Sequence, residues 1–174
     1  MELMREIAPA VMRIAILWAP LQTAPGLVET VEAAASLVGL RAIRAPVQEP
    51  HQIEEAIVAM LQEPNGGLII VSDAFTVLHR ELIAELAARY KLPAVYGNTI
   101  FVEDGGLASY GVDQVEEYRG AAGYVDRILK GEKPGELPVQ FPTKYKLVIN
   151  LKTAKALGLE VPFLMQQRAD ELIE

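Results

Sequence analysis

The sequence predicts a three-layer α/β/α domain built on a doubly wound parallel sheet. Short apolar runs rich in β-branched residues recur along the chain and alternate with amphipathic stretches of helical period. One run, residues 68–71, is apolar without interruption, which fits a central strand covered on both faces. The chain has 174 residues, 51% of them hydrophobic, so it can bury the core of one domain of roughly 100–200 residues.

Predicted strands and helices alternate as far as residue 98. In chain order they are a helix ending near Pro9, a strand at 13–18, a helix at 26–38, a strand at 40–47, a helix between Pro50 and Pro64, the strand at 68–71, a helix at 76–90 and a strand at 93–98. Such alternation requires right-handed crossovers and gives a parallel sheet, for which we predict the strand order 2-1-3-4.

The alternation changes after residue 98. The predicted elements are a turn at 100–106, a strand at 107–113, a helix at 114–130, a polar connection at 131–138, a strand at 144–149, a short helix between Asn150 and Gly158, and an acidic helix at 164–173. Residues 107–129 supply one strand and one helix, too little for a second sheet. We therefore expect this segment to dock on something outside the chain.

Composition excludes several function classes. The net charge of −7 argues against nucleic acid and anionic membranes as partners, because both select basic surfaces. The chain has no cysteine, and its two histidines stand in no metal-ligand spacing, so we expect no metal site. Residues 1–9 lack the basic start and long apolar region of a signal peptide.

Motifs of cofactor and nucleotide sites are also missing. No glycine-rich dinucleotide loop, P-loop or nucleophile elbow is present, so we expect no cofactor. A phosphoacceptor receiver domain would need carboxylates after the first strand to hold Mg²⁺, and residues 18–22 are Trp-Ala-Pro-Leu-Gln instead. That departure makes the receiver interpretation improbable.

Polar and aromatic residues follow the predicted strands where each one ends. They are Trp18, Gln22 and Thr23 after the first strand, Ser72, Asp73 and Phe75 after the third, and Asn98 after the fourth. In open α/β sheets, ligands bind at the carboxyl ends of the strands that flank the switch in strand order. These residue types suit a small organic ligand: Thr23 and the next helix start for a carboxylate, Asp73 for an ammonium group, and Trp18 or Phe75 for an apolar body.

Each candidate residue also has a structural alternative. Asp73 can cap the helix that follows it, and this role is compatible with ligand contact. Trp18 is more commonly a core residue in such a position. No nucleophile, metal set or second carboxylate accompanies Asp73, so we do not predict an enzyme.

Several stretches carry a family resemblance: 92–98, 105–113, 128–134, 137–139 and 142–158, of which Val148-Ile-Asn-Leu-Lys-Thr-Ala-Lys-Ala-Leu-Gly158 is the most specific. Through them the chain resembles ABC-transporter substrate-binding proteins with a type I periplasmic binding fold. The resemblance implies two lobes with ligand held between them. It assigns 1–106 to the second lobe, 107–140 to the first lobe and 141–174 to the return into the second lobe, and it places Tyr110 and Asp113 near the cleft. The family's signal peptide and initial first-lobe segment have no counterpart in these residues.

The same resemblance implies a function. The expected role is capture of a small organic solute, an amino acid or a small carboxylate, for an ABC permease of the inner membrane, with the full-length parent in the periplasm. A ligand-sensing module of the same fold, from a transcription regulator or a sensor protein, is the alternative. The surface left by the absent first-lobe segment would be free to form a homodimer.

Overall fold

A computed structural model describes all residues, Met1–Glu174. Seven strands form one sheet in the order β2-β1-β3-β4-β5-β6-β7. The strands are β1 (Arg13–Trp18), β2 (Arg41–Pro46), β3 (Gly66–Ile70), β4 (Ala94–Tyr96), β5 (Ala108–Val112), β6 (Tyr145–Asn150) and β7 (Glu171–Ile173). The α-helices are α1 (Glu2–Ile7), α2 (Leu27–Leu37), α3 (Pro50–Ala59), α4 (Ala74–Leu78), α5 (Arg80–Arg89), α6 (Ile100–Glu103), α7 (Gln114–Leu129), α8 (Leu151–Ala156) and α9 (Phe163–Arg168). None of the helices combines the length and apolar character needed to cross a membrane.

The most apolar strands occupy the middle of the parallel part of the sheet. Every residue of β1 and of β3 is buried, as expected for strands covered on both faces. Pairing is parallel from β2 through β1, β3 and β4 to β5, and only the β5–β6 pair is antiparallel. The predicted fold class and the strand order 2-1-3-4 are both confirmed.

Helices cover both faces of the sheet. Successive strand residues point to opposite sides, so Leu17 and Trp18 at the end of β1 enter different cores. The face of the sheet that carries Leu17 packs against α3, α5 and α6. The opposite face packs against α1, α2, α8 and α9. The result is the predicted three-layer α/β/α arrangement.

The helix predicted at 76–90 is two helices. The first, α4, begins at Ala74 because the Asp73 carboxylate caps its start, and it ends at Leu78 because the next residue, His79, has a ψ of 21°, away from the helical value. The second, α5, begins at Arg80. The turn predicted at 100–106 contains the short helix α6, which begins after Thr99.

The prediction of a final helix at 164–173 is wrong for the second half of that range. Helix α9 ends at Arg168, and the last residues form β7, which pairs with β6. Asp170 starts this pairing: its N–H donates to the Leu147 carbonyl at 2.9 Å, and its carboxylate accepts from the Leu147 N–H at 2.7 Å. The exposed edge of β6 thus captures a segment whose own sequence favours a helix.

The segment 107–140 divides into two parts. Strand β5 pairs with β4 and with β6, and Ala108 and Ser109 are fully buried. The expectation that this strand docks outside the chain is therefore wrong, and the lobe boundary at residue 107 stays a prediction. Helix α7, in contrast, has no buried residue. Its assignment to a first lobe, with the residues up to 140, stays a prediction.

Tyr96 is fully buried at the end of β4. Its ring stacks on Phe101 with centroids 4.9 Å apart, and a Cβ on Gly106 would lie 2.6 Å from that tyrosine ring. The Tyr96 hydroxyl has no hydrogen-bond partner, and burial raises the pKa of this phenol because the phenolate would lose its hydration.

We expect Tyr96→Phe to raise the free energy of unfolding by about 1 kcal/mol, since the substitution removes a buried, unpaired hydroxyl. Urea unfolding followed by circular dichroism measures this change. The difference in the free energy of unfolding between Tyr96→Phe and wild type should increase above about pH 10, where the phenol ionises in the unfolded wild type but not in the folded one. Tyr118→Phe on the exposed face of α7 is the matched control and should change nothing. A loss of stability in Tyr96→Phe would contradict the unpaired state of the hydroxyl.

Candidate ligand-binding site

Strands β1, β3, β4 and β5 are parallel, so their carboxyl ends meet at one edge of the sheet. We call this edge the carboxyl edge and define it by residues 18–26, 71–75, 97–99 and 110–113. The switch in strand order falls between β1 and β3, which lie side by side here. This is the position at which open α/β sheets bind ligands.

Asp73 ties two loops of the carboxyl edge together. It is 8% exposed, and its Oδ2 accepts hydrogen bonds from the Ala19 N–H at 2.8 Å and from the Thr23 hydroxyl at 2.9 Å. Its Oδ1 accepts from the Thr76 N–H at 2.9 Å, and its own N–H donates to the Thr76 hydroxyl at 3.0 Å.

These bonds complete a capping box at the start of α4 and fasten the β1–α2 loop to it. The predicted capping role of Asp73 is confirmed. Because three donors already satisfy the carboxylate, its main effect is to fix the shape of the edge. Its contact with a ligand ammonium group stays a prediction.

Ser72, Asn98 and two glycines form the middle of the edge. A Cβ on Gly97 would lie 3.4 Å from the Cβ of Ser72, and a Cβ on Gly111 would come closer than 3.0 Å to the Gly97 carbonyl oxygen. The Asn98 carboxamide oxygen accepts from the Ile100 N–H at 3.1 Å, which leaves its amide nitrogen without a protein partner. Ser72 is exposed, so the edge presents a hydroxyl and an amide beside a tightly packed backbone.

Three further candidates, which follow β1 and β3, differ in their surroundings. Trp18 packs in the core with Val28 and Val71 and is 9% exposed, so core filling is its observed role. Phe75 is half-buried, and its ring lies 4.5 Å from the His79 ring. Gln22 is exposed on the loop after β1 and makes no side-chain hydrogen bond.

An aromatic pair stands at the β5 side of the edge. Tyr110 is 55% exposed and stacks on Tyr145, with ring centroids 5.6 Å apart and planes 17° from parallel. Asp113, beyond the end of β5, caps α7 by accepting from the Val115 N–H at 3.0 Å, and its N–H donates to the Lys144 carbonyl at 3.0 Å. The sequence had indicated Tyr110 and Asp113 but not Tyr145, whose partner is visible only from the antiparallel register of β5 and β6.

The edge therefore combines exposed hydroxyl and amide groups with a solvent-facing aromatic pair. No group of three or more acidic or histidine side chains is arranged to hold a metal ion. A cleft of about 600 Å³ lies at the opposite edge of the sheet, where apolar side chains dominate its lining; Val11, Met60, Leu92 and Leu159 are among them. The two edges thus differ in chemistry as well as in position.

The sequence profile of a family described as "ABC transporter substrate binding protein" matches residues 1–173. This chain belongs to that family. Family membership supports the transport interpretation and does not favour the sensing-module alternative. Substrate binding, and not catalysis, defines the family.

Solved structures agree with the membership. A conserved domain protein from Vibrio cholerae is 29% identical with a TM-score of 0.89, and the match covers 98% of this chain and 58% of that one. An ABC domain in complex with L-Trp from Streptococcus pneumoniae is 26% identical with a TM-score of 0.89, covering 99% of this chain and 60% of that one. The ligand-free, open structure of CD0873, a substrate-binding protein from Clostridium difficile, shares the fold. It is 20% identical with a TM-score of 0.73, and the match covers 99% of this chain and 58% of that one.

The family member described here spans about three-fifths of the length of these solved structures. A search of curated protein sequences found no match. The comparisons therefore fix the family and the fold, and the carboxyl edge is the part of the chain where side-chain chemistry suits a ligand.

Proposed function

We propose that this protein captures a small organic solute for an ABC uptake transporter, without transforming it chemically. The solute class is an amino acid or another small carboxylate, and an aromatic amino acid fits best. The observation that carries this proposal is the likeness, over 99% of the chain, to an ABC domain in complex with L-Trp. The exposed aromatic pair at the carboxyl edge supports the aromatic preference.

Each part of an amino acid has a suitable group at the carboxyl edge. The first turn of α2 follows Gly26 and has no side-chain cap, so its backbone N–H groups suit the solute carboxylate. Thr23 already donates its hydroxyl to Asp73 and contributes by holding that loop. The carboxylate of Asp73 attracts the ammonium group, Ser72, Gln22 and Asn98 offer further polar contacts, and Tyr110 offers its ring face.

The chain supplies one wall of a cleft in this proposal. Because it spans only 58–60% of its structural neighbours, the opposite wall comes from outside these residues. A solute that bridges two walls favours the closed form, and the permease recognises that form. The periplasm or the outer face of the cell membrane is the compartment that membership of this family implies.

Equilibrium dialysis with L-Trp, together with fluorescence titrations using L-Phe and L-Tyr, tests the proposal. Trp18 is the single tryptophan and lies at the carboxyl edge, so its emission reports solutes that bind there. With one wall present we expect weak binding, with Kd of about 1 mM. Tyr110→Ala should weaken binding about fivefold, because an aromatic contact contributes about 1 kcal/mol beyond the area it buries.

Tyr118→Ala is the matched control, since Tyr118 is an exposed tyrosine outside the edge. L-Ala is the control solute, because its methyl side chain covers little of an aromatic face compared with the ring of L-Phe. Absence of binding by every amino acid and small carboxylate tested would contradict the proposal. Equal binding by wild type and Tyr110→Ala would contradict the aromatic preference.

A further inference from the structure

Arg80, the first residue of α5, contacts the last turn of α4 and the end of α6. Its Nη1 donates to the Val77 carbonyl oxygen at 3.3 Å. Its Nε lies 2.6 Å from Oδ2 of Asp104, the residue directly after α6. The buried Nε–H does not meet the geometry of a hydrogen bond, so the contact with Asp104 is an ion pair. One guanidinium group therefore joins three helices.

Helices α4 and α6 both begin at the carboxyl edge. Ser72 and Asp73 precede α4, and Asn98 and Thr99 precede α6. The two helices have five and four residues, so each is only about 6–8 Å long. A helix of about one turn does not hold its own position in water, so contacts at its far end help to fix the loop at its near end.

Apolar contacts hold the middle of α6. Phe101 and Val102 are fully buried, but burial of apolar surface is not directional, so these side chains fix the depth of the helix and leave its position along the sheet open. Among the side chains of residues 100–104, only that of Asp104 forms an ion pair or a hydrogen bond. Arg80 therefore supplies the directional side-chain contact that positions α6.

Arg80 is attached to a well-anchored helix. The residues of α5 that are buried in the core are Ile83, Ala84, Leu86 and Ala87. The side chains of Arg80 and Asp104 are 29% and 27% exposed. The pair of Arg89 with Glu85, on the same helix, is far more open, at 53% and 62%. Water and salt therefore screen the Arg80 pair less.

The position of α6 sets the direction of the Asn98 carboxamide. The oxygen of this group accepts from the Ile100 N–H at 3.1 Å, so the side chain follows the first residue of α6. Its amide nitrogen is then the group offered to a solute. The preceding residue, Gly97, lies close to Ser72, since a Cβ on Gly97 would be 3.4 Å from the Cβ of that serine. A displaced α6 would therefore change the spacing between Asn98 and Ser72.

We infer that Arg80 is a positioning residue of the carboxyl edge. It holds α6 against the junction of α4 and α5, so that Asn98 and Ser72 keep the spacing in which both can contact one solute. The consequence for solute binding rests on the proposed function. The effect on Asn98 does not, because it is measurable in the solute-free protein.

Amide hydrogen exchange of the solute-free chain, followed by NMR, tests the effect of Arg80 on Asn98. In Arg80→Ala the N–H groups of Ile100 and Val102 should exchange at least about fivefold faster than in wild type, because α6 opens locally more often. A general loss of stability would instead accelerate the amides of the central strands, such as that of Leu68.

Arg89→Ala is the matched control. It removes an arginine and an ion pair from the other end of α5, and it should leave the exchange of Ile100 and Val102 unchanged. Asp104→Asn removes the charge of the other partner and should accelerate the same two amides. Arg80→Lys should give an intermediate rate, because an ammonium group can pair with Asp104 but lacks the fork that also reaches α4.

Equilibrium dialysis with L-Trp measures the consequence for binding. The Kd of Arg80→Ala should rise about threefold, and that of Arg89→Ala should equal the wild-type value. Unaltered exchange at Ile100 and Val102 in Arg80→Ala would overturn the inference. Faster exchange with an unchanged Kd would overturn the role of Arg80 in solute binding. A wild-type chain that binds no solute would contradict the proposed function instead, and the exchange rates would still decide whether Arg80 positions Asn98.

Discussion

Gly111→Ala should lower the free energy of unfolding by about 3 kcal/mol or more, at the upper end of what overpacking costs. The added Cβ would come closer than 3.0 Å to the Gly97 carbonyl oxygen, and because that oxygen is a backbone atom, no flexible side chain can move aside to make room. Gly111 cannot shift either, because β5 is paired with β4 on one side and with β6 on the other. Urea unfolding followed by circular dichroism measures the loss.

Gly111→Ala should also change the shape of the carboxyl edge. Gly97 precedes Asn98 and lies against Ser72, so pushing it aside displaces two candidate ligand contacts. We expect solute binding to fall even under conditions in which Gly111→Ala is still folded.

Gly120→Ala is the control for this prediction. Gly120 lies in α7 with no heavy atom within 4 Å of a built Cβ, so alanine should raise stability by about 0.5–1 kcal/mol through helix propensity. A Gly111→Ala variant as stable as wild type would show that the close approach of β4 and β5 is not a constraint.

Asp73→Ala should cost about 3 kcal/mol of stability and abolish solute binding. The substitution removes the acceptor of three hydrogen bonds and leaves the N–H groups of Ala19 and Thr76 unpaired in a buried site. With the tether gone, the β1–α2 loop that carries Thr23 is no longer fixed to the start of α4. Chemical denaturation gives the stability change, and equilibrium dialysis with L-Trp gives the binding change.

Asp73→Asn distinguishes the effect of the hydrogen bonds that hold the β1–α2 loop to α4 from the effect of the negative charge. Asparagine can still cap α4 through one oxygen, but its amide group faces two donors, so we expect a smaller loss of stability than for alanine. Binding of a solute with an ammonium group should fall more than binding of a simple carboxylate. Asp126→Ala, at an exposed aspartate, is the control and should leave stability nearly unchanged. Unaltered stability in Asp73→Ala would contradict the tether.

Sequence patterns predicted what depends on local chemistry. The apolar runs and helical periods predicted β1 to β4 and their order, since burial on both faces leaves an unbroken apolar signature as at 68–71. The cap formed by Asp73 was also predictable, because aspartate is a favoured residue directly before the first turn of a helix. These features need only neighbours along the chain.

Features that depend on distant partners were not predicted. Strand β7 forms because the edge of β6 offers open backbone groups, and the stack of Tyr110 on Tyr145 follows from an antiparallel register between segments more than thirty residues apart. The contact of Gly97 with Gly111 is of the same kind, although a glycine at a strand end is a signal of close backbone approach. The binding roles of the edge residues stay predictions for this reason, because a ligand is itself a distant partner.

The central claim is that a solute binds at the carboxyl edge of the sheet. Titrating the isotopically labelled chain with L-Trp and following its backbone amide resonances tests the claim residue by residue, even at millimolar affinity. We predict shifts concentrated at Thr23, Ser72, Asn98 and Gly111, with no change at the opposite edge. Shifts confined to the cleft around Met60, Leu92 and Leu159, at the amino ends of the strands, would contradict the account.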